Sequence, residues 1–584
     1  MKKSVNLTFF CILVLIVISC HKQKRKTQQF EPTWESLNKY EIPQWYKNAK
    51  FGIFIHWGVY SVPSFSNEWY SRNMYVQGTA EFKHHREKYG DQSKFGYKDF
   101  IPMFTAKKWN PDEWAELFKS SGAKYVVPVA EHHDGFAMYA SKISKWNAAE
   151  MGPKRDIIGE LAKAVRKQGL IFGLSFHRAE HWWFMNGGRG YNSDVNDPKY
   201  ADFYGPAQSQ DVQPDSIYLK DWLARCKELV DNYHPQVFYF DWWIGQPAFK
   251  PYWRNFASYY YNKSNDWEKG VVINYKNDAY PDHTAVLDVE RGKLGKKRKL
   301  HWQTDTSIGK KSWCYVEGEE YKNSSQIIHD LIDIVSKNGN LLLNIGPKPD
   351  GTIPQNVKDV LLSIGKWLRI NGEGIYGTES WLNFGEGPTK PGYGQFSDND
   401  MTNYTSEDFR FTLKGNTLYA FCMNWPRGKA VITSLGTGIL KQMKVEEVSL
   451  LGCNEKLIWK QNEKALEIVL PKQKPCDVAY CFKIKLSGTA MSKMDLTLDV
   501  KDTVIAEFCL QNCLKTDLET SADLLADGKL LSSKKLNLKP FSIENVTFNY
   551  TKPHSDKIHL AIVCNNDTLQ SSGILVSRLS KHSK

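Results

Sequence analysis

Residues 157–177 read IIGELAKAVRKQGLIFGLSFH: a helix-period stretch, a glycine, then an apolar run that ends in a histidine. Ile157, Leu161 and Val165 recur at i, i+4 and i+8, which lays one apolar stripe along a helix. Gly169 supplies a left-handed stop. The run after it lacks alternation, as expected of a strand buried on both faces of a parallel sheet. The same unit stands on either side, as PDEWAELFKSSG before AKYVVPVAEHHDG and as IYLKDWLARCKELVDNYHP before QVFYFDWW. Further strand-like segments are FGIFIHWG, VVINY, AVLDVE, HWQTD and LLLNIGP. Eight such strands over about 330 residues predict a (β/α)8-type barrel. An open doubly wound sheet is the alternative.

The barrel unit is expected over 36–380. Beyond Trp381 the helical period disappears, and alternating segments such as FRFTLKGNTLYAFCMNW and DVAYCFKIKL predict a β-sandwich over 381–487. A second alternating stretch predicts a separate small, Ig-like sandwich over 488–584. A chain of 584 residues needs more than one core in any case. With 41% hydrophobic and 24% charged residues and a mean hydropathy of -0.50, it is neither wholly disordered nor a polytopic membrane protein. The formal charge of +13 is spread along the chain, with one short cluster at Lys296-Lys297-Arg298-Lys299 and no nucleic-acid recognition motif. That cluster reads as a solvated loop, with contact to sulfated glycans as the functional alternative. Eighteen of the 20 Trp lie between Trp34 and Trp381, which predicts a ligand with flat apolar faces in the first unit.

The start of the chain reads as an export signal. Lys2 and Lys3 precede an uncharged run from Phe9 to Ile18, too short for a mature membrane span. Val17-Ile18-Ser19-Cys20 resembles a bacterial lipobox, so 1–19 is expected to be removed and Cys20 lipidated. Residues 20–35 then form a basic tether. The remaining nine Cys show no CxxC spacing, so neither a zinc knuckle nor a dense disulfide framework is signalled. Gly372-Glu373-Gly374-Ile375-Tyr376-Gly377 matches GxGxxG but follows a helix, so it reads as a helix stop and not as a nucleotide loop.

In a parallel barrel the reactive residues gather where strands end. Here those ends carry His56, Glu131-His132-His133-Asp134, Ser175-Phe176-His177, Asp241-Trp242-Trp243 and Glu290-Arg291, and a loop adds Glu68-Trp69. Imidazoles and carboxylates offer hydrogen bonds to hydroxyls, and indoles offer a face to the C–H side of a sugar ring. A carbohydrate suits the set. Zinc is the rival, disfavoured because adjacent His132 and His133 would point to opposite faces of a strand.

FGIFIHWGVYSVPSFSNEWY, AKYVVPVAEHHDGFAMY, MGPKRDIIGELAKAVRKQGL and NGNLLLNIGPKPDGTIP, in that order, resemble the alpha-L-fucosidases of glycoside hydrolase family 29 over about residues 40–380. The resemblance implies retaining exo-removal of alpha-linked L-fucose from a glycan, with two carboxylates and no cofactor. It implies Asp241 as nucleophile. It also implies that His56, Glu68, Trp69, His132 and His133 contact the sugar, with His177 and Lys276 as provisional contacts where the chain departs from the commoner pattern. Lys276 stands in place of an arginine and cannot form the same fork. Glu290 is the expected acid/base, with Glu317 and Glu68 as alternatives. A surface lipoprotein that binds glycans without turnover, or an exo-glycosidase or transglycosylase of other specificity, would keep much of the same rim.

Overall fold

The computed structural model describes residues 28–398, 401–493, 495–498, 503–551, 557–558, 560–564, 567–570 and 574–575. The expected signal 1–19, Cys20 and the first part of the tether lie outside them. Eight parallel strands close into a barrel in chain order: β1 (Phe51–Ile55), β2 (Tyr125–Glu131), β3 (Ile171–Phe176), β4 (Val237–Phe240), β5 (Val272–Lys276), β6 (Val286–Glu290), β7 (Trp302–Ser307) and β8 (Gly339–Ile345). β1 pairs in parallel with both β2 and β8, so no edge is left and the open sheet is ruled out. Every residue of β1, β2, β4, β5, β7 and β8 is buried, and most of these strands read as apolar runs; β7, WQTDTS, is buried yet polar. Inside the barrel the Tyr125 ring lies against Gly52, where a Cβ would come within 2.4 Å of it. The hydroxyls of Tyr125 and Tyr46 both donate to Gln303 Oε1, at 2.8 and 2.7 Å.

Helices Pro111–Ser120, Ile157–Lys167, Ser216–Tyr233, Lys250–Asp266, Ser324–Ser336 and Gln355–Asn371 follow β1, β2, β3, β4, β7 and β8. The connections β5–β6 and β6–β7 carry no helix. Gly169 has φ of 75°, the left-handed stop its position requires. Most tryptophans serve the packing and not a ligand: Trp57, Trp114, Trp183, Trp222, Trp253 and Trp302 are all buried in the core. The expectation that indole abundance marks a ligand therefore holds for only a few of them.

Two expected boundaries are corrected by continuous strands. Strand Glu379–Glu386 crosses 380/381 and pairs with Phe409–Lys414. Strand Tyr480–Met491 crosses 487/488, pairing with Thr417–Cys422 before the boundary, with Gln442–Leu450 across it and with Thr503–Asn512 after it. The last unit has its own apolar cluster around Val504, Phe508 and Phe548, yet it shares a sheet with the first sandwich. The expected tether also ends earlier than 35. Phe30 exchanges backbone hydrogen bonds with the Asn262 side chain at 2.8 and 2.9 Å, and a short helix, Trp34–Leu37, follows. The nine described cysteines are all free thiols.

Below the strand ends, fully buried Glu131 accepts from Arg178 Nη1 at 2.6 Å and lies 3.3 Å from Arg225 Nη1. Asp221 completes the cluster, 3.1 Å from Arg178 Nη2 and 2.9 Å from Arg225 Nε. This ties β2, the turn after β3 and helix Ser216–Tyr233 into one support. Removing one partner strands a buried charge, so Arg178→Met should cost about 3–5 kcal/mol in denaturant unfolding. A loss below about 1 kcal/mol would show that the cluster supports nothing.

Candidate active site

The strand ends enclose a cavity of about 760 Å³. His56 comes from the end of β1, His132 and His133 from β2, His177 from β3 and Asp241 from β4. Glu290 is the last residue of β6, and Glu68 and Trp69 enter from the loop after β1. Each element ends just below the cavity, so rigid strands set the position of each group. Trp242 and Trp313 supply indole walls.

Asp241 lies between two imidazoles. His177 Nδ1 is 3.0 Å from its Oδ2, and His133 Nε2 is 3.4 Å from the same oxygen. The tautomers follow from the partners. Ionised Asp241 only accepts, so His177 Nδ1 carries the proton, and its Nε2 accepts from Ser175 Oγ at 2.8 Å. His133 Nδ1 donates to the His177 carbonyl at 2.8 Å. His56 Nδ1 donates to Asn344 Oδ1 at 2.8 Å, because the Asn344 amide nitrogen is spent on Ser307 Oγ and the Trp313 carbonyl.

Burial alone would raise the pKa of Asp241, but His177 and His133 outweigh it and hold the carboxyl well below its usual range. Burial likewise disfavours the charged form of His133, yet Glu180 and Asp241 push its pKa up to about 9. Burial dominates at His56, His132 and His177, whose pKa values fall and whose rings stay neutral. At Glu290 burial dominates too, raising the pKa to about 7 against the opposing charge of Lys276. The Trp242 indole N–H donates to Glu290 Oε2. One carboxyl is thus held ionised and another kept protonated near neutrality in the same cavity.

Glu68 is buried in the wall, its Oε2 accepting from Trp313 N at 3.1 Å, and burial raises its pKa. Trp69 packs edge-on against His133, ring centroids 5.8 Å apart. Glu317 is exposed and does not line the cavity, unlike the other two candidate acids. Lys276 is placed differently from the expected sugar contact. Its ammonium is buried among Asp288 at 2.7 Å, Asp305 at 3.0 Å and Glu290 at 3.4 Å, so it acts on Glu290 from behind, and it lines the smaller cavity beside Asp241 and Trp242 in place of the main bowl. His132 and His133 both line the bowl, contrary to the alternation expected of a strand, because β2 ends at Glu131 and the two residues lie beyond it.

The imidazoles also come close enough to raise the metal question again. Ligand atoms of His56, His132 and His177 lie within 4.8 Å of one another, as do those of His133, His177 and Asp241. The donor set does not suit a resident ion: both His177 nitrogens are engaged, and a protonated His133 has no lone pair to give.

Glu180, absent from the expected set, also lines the bowl. It is buried, its Oε2 lies 3.6 Å from His133 Nε2, and that oxygen accepts no hydrogen bond. Burial raises its pKa to about 7. The only sequence signal for it was an acid three residues past His177 in the HRAEH run. His132 Nδ1 is the other buried, unpartnered polar atom of the wall. Two such atoms at one cavity offer an acceptor and a ring nitrogen to incoming hydroxyls.

Residues 17–373 match the family model described as alpha-L-fucosidase, and 399–485 match the alpha-L-fucosidase C-terminal domain. An alpha-L-fucosidase of Branchiostoma floridae is 34% identical over 496 residues, covering 81% of this chain and 99% of that protein. The tissue alpha-L-fucosidase of Homo sapiens is 31% identical over 493 residues, covering 82% and 96%. Among solved structures, Thermotoga maritima alpha-fucosidase with a mechanism-based inhibitor matches with a TM-score of 0.64 and 33% identity, over 78% of this chain and all of that one. The same enzyme in complex with fucose matches with a TM-score of 0.63. The chain belongs to the alpha-L-fucosidase family.

Proposed function

We propose that the protein is a retaining exo-alpha-L-fucosidase that removes terminal alpha-linked L-fucose from glycans. The observation that carries this reading is the split between Asp241, held ionised by two imidazoles, and Glu290, held protonated near neutrality in the same bowl. Asp241 attacks the anomeric carbon and forms a glycosyl ester while the bond to the aglycone oxygen breaks. Glu290 gives that oxygen its proton. Glu290, now a carboxylate, takes a proton from the water that attacks the same carbon. The ester bond breaks, Asp241 leaves ionised, and the two inversions give retention. Lys276 and the Trp242 N–H hold Glu290 in place and stop its pKa from rising further. His56, Glu68, Trp69, His132, His133, His177 and Glu180 orient the sugar.

A second element of the proposal is the address. Signal 1–19 is cleaved, Cys20 carries the lipid, and His21 in place of an acidic residue directs the protein to the outer membrane of a diderm cell or its periplasmic face. Two or more acyl chains give stable anchoring where one is marginal. Among the described residues no helix is long and apolar enough to cross a membrane.

Purified protein should hydrolyse an aryl alpha-L-fucoside and spare an aryl beta-D-galactoside. Asp241→Gly should lower turnover by on the order of 10³-fold or more. Azide should restore part of it, giving beta-fucosyl azide. A variant within a few fold of wild type would remove Asp241 from the chemistry.

The acid must carry its proton, so kcat/KM should be full below about pH 7 and fall as pH rises through the Glu290 pKa. The Trp242 N–H stabilises the carboxylate form, so Trp242→Phe should move that alkaline limb upward. A limb that stays put would show that another group sets it.

Cys20→Ser should leave the protein in the soluble fraction, or with its signal uncleaved, at unchanged specific activity. Wild-type protein with an unlipidated, soluble N-terminus would refute the anchor alone.

A further inference from the structure

A second cavity, of about 780 Å³, lies between the β6–β7 connection and the edge of the sandwich. It exists because residues 291–301 form no helix and lie beside strand Glu379–Glu386 and the segment after it. Its lining is strongly cationic: Lys296, Lys297, Arg298, Lys337, Lys390 and Arg410. The only acid among them, Glu386, already accepts from the backbone N–H groups of Thr433 and Ser434 at 2.7 and 2.6 Å. Asp333 lies 2.6 Å from both Lys337 and Arg410, so one carboxylate serves two buried cations. Arg298 pairs with Asp282 at 2.6 Å. Lys296 and Lys390 are exposed and have no carboxylate partner among the described residues. Lys297 Nζ donates to the Trp381 carbonyl at 3.2 Å and meets the Cys509 thiol, and its charge also acts on Glu379. The groove therefore carries uncompensated positive charge.

An aromatic face stands at its mouth. Tyr393 is 75% exposed, and its ring lies over Gly295, where a Cβ would come within 3.2 Å. A phenol left in water over a concave basic surface is suited to stack on a sugar ring. The segment that carries it also reaches the bowl. Gly394 pairs with Lys293, with N–H to carbonyl distances of 2.8 and 3.2 Å, and Phe396 N donates to the Glu290 carbonyl at 3.0 Å. Asp398 anchors the segment through Lys322 at 2.5 Å and Arg291 at 3.3 Å. Phe396 lines the bowl and Tyr393 the groove. Only Gly394 and Gln395 separate them, a span of at most ~11 Å.

We propose that this groove binds the anionic body of a polysaccharide, bearing sulfate or carboxylate groups, whose terminal sugar occupies the bowl. The proposal rests on the fucosidase reading for the bowl and names the class of substrate it serves. Lysines supply point charges to the anions, Tyr393 supplies the face for a ring, and the 391–398 segment joins the two sites. A membrane surface would engage a flat or convex patch and gain nothing from a groove that abuts a sugar site.

Affinity electrophoresis of the full chain against dextran sulfate, polygalacturonate and neutral dextran tests it, with phosphatidylglycerol vesicles as a fourth arm. Wild type should be retarded by one or both anionic polymers, the stronger one identifying sulfate or carboxylate, and not by neutral dextran. Lys296→Glu/Lys390→Glu/Tyr393→Ala should lose at least tenfold in affinity, while a control with the same change in charge elsewhere, Lys107→Glu/Lys529→Glu, keeps it. Aryl alpha-L-fucoside turnover should stay within twofold in both variants, which also reports that they fold. Equal losses in the control, no retardation of wild type, or a groove-dependent preference for vesicles would each overturn the proposal. A wild type inactive on the aryl fucoside would instead overturn the reading of the bowl, whatever the polymers do.

Discussion

A carboxylate taken out of water stays ionised only if neighbouring groups replace its solvent, and the bowl is arranged around that requirement at Asp241. Its Oδ2 meets a neutral imidazole N–H from His177 and a charged one from His133. Each of those rings is fixed by a further partner. Ser175 closes the far nitrogen of His177, and the His177 carbonyl takes the far nitrogen of His133. The backbone of one strand end therefore orients the side chain of another. The barrel matters to the chemistry for this reason: parallel strands deliver β2, β3 and β4 to the same level, and His133, His177 and Asp241 stand just past their ends.

The same constraint explains what lies beneath. A charged His133 beside ionised Asp241 leaves Glu180 facing a cation, and its raised pKa shows burial outweighing that attraction. On the opposite wall Lys276 sits among Asp288, Asp305 and Glu290. It moderates the upward push of burial on Glu290 enough to leave a pKa of about 7. An arginine here would bring a planar fork in place of a compact ammonium set among three carboxylates.

Legibility in the sequence followed burial. Most strands hidden on both faces are apolar runs, with polar residues marking their ends; β7, WQTDTS, is the exception, buried but polar. The strand Tyr480–Met491 could not be assigned to two domains at once from its pattern, because alternation looks the same whichever sheet a strand joins. Side-chain direction was legible only inside strands. His132 and His133 sit just past the end of β2, where strand alternation no longer applies. The carboxylate partners of Lys276 were not legible, because a lysine's reach lets it meet acids from two other strands. Glu180 lay in a segment of short helical turns with no period to project. Tryptophan count misled for a simpler reason: indoles fill cores as readily as they line sites.

The proposed retaining mechanism requires Asp241 to bond covalently to the sugar. A 2-deoxy-2-fluoro-L-fucosyl donor with a good leaving group slows both steps but the second more, so the intermediate should accumulate. Proteolysis and mass spectrometry of the inactivated protein should find one peptide heavier by a fluorofucosyl residue, with the label on Asp241. Label on Glu180, Glu68 or Glu290, or inactivation without any label, would contradict the account.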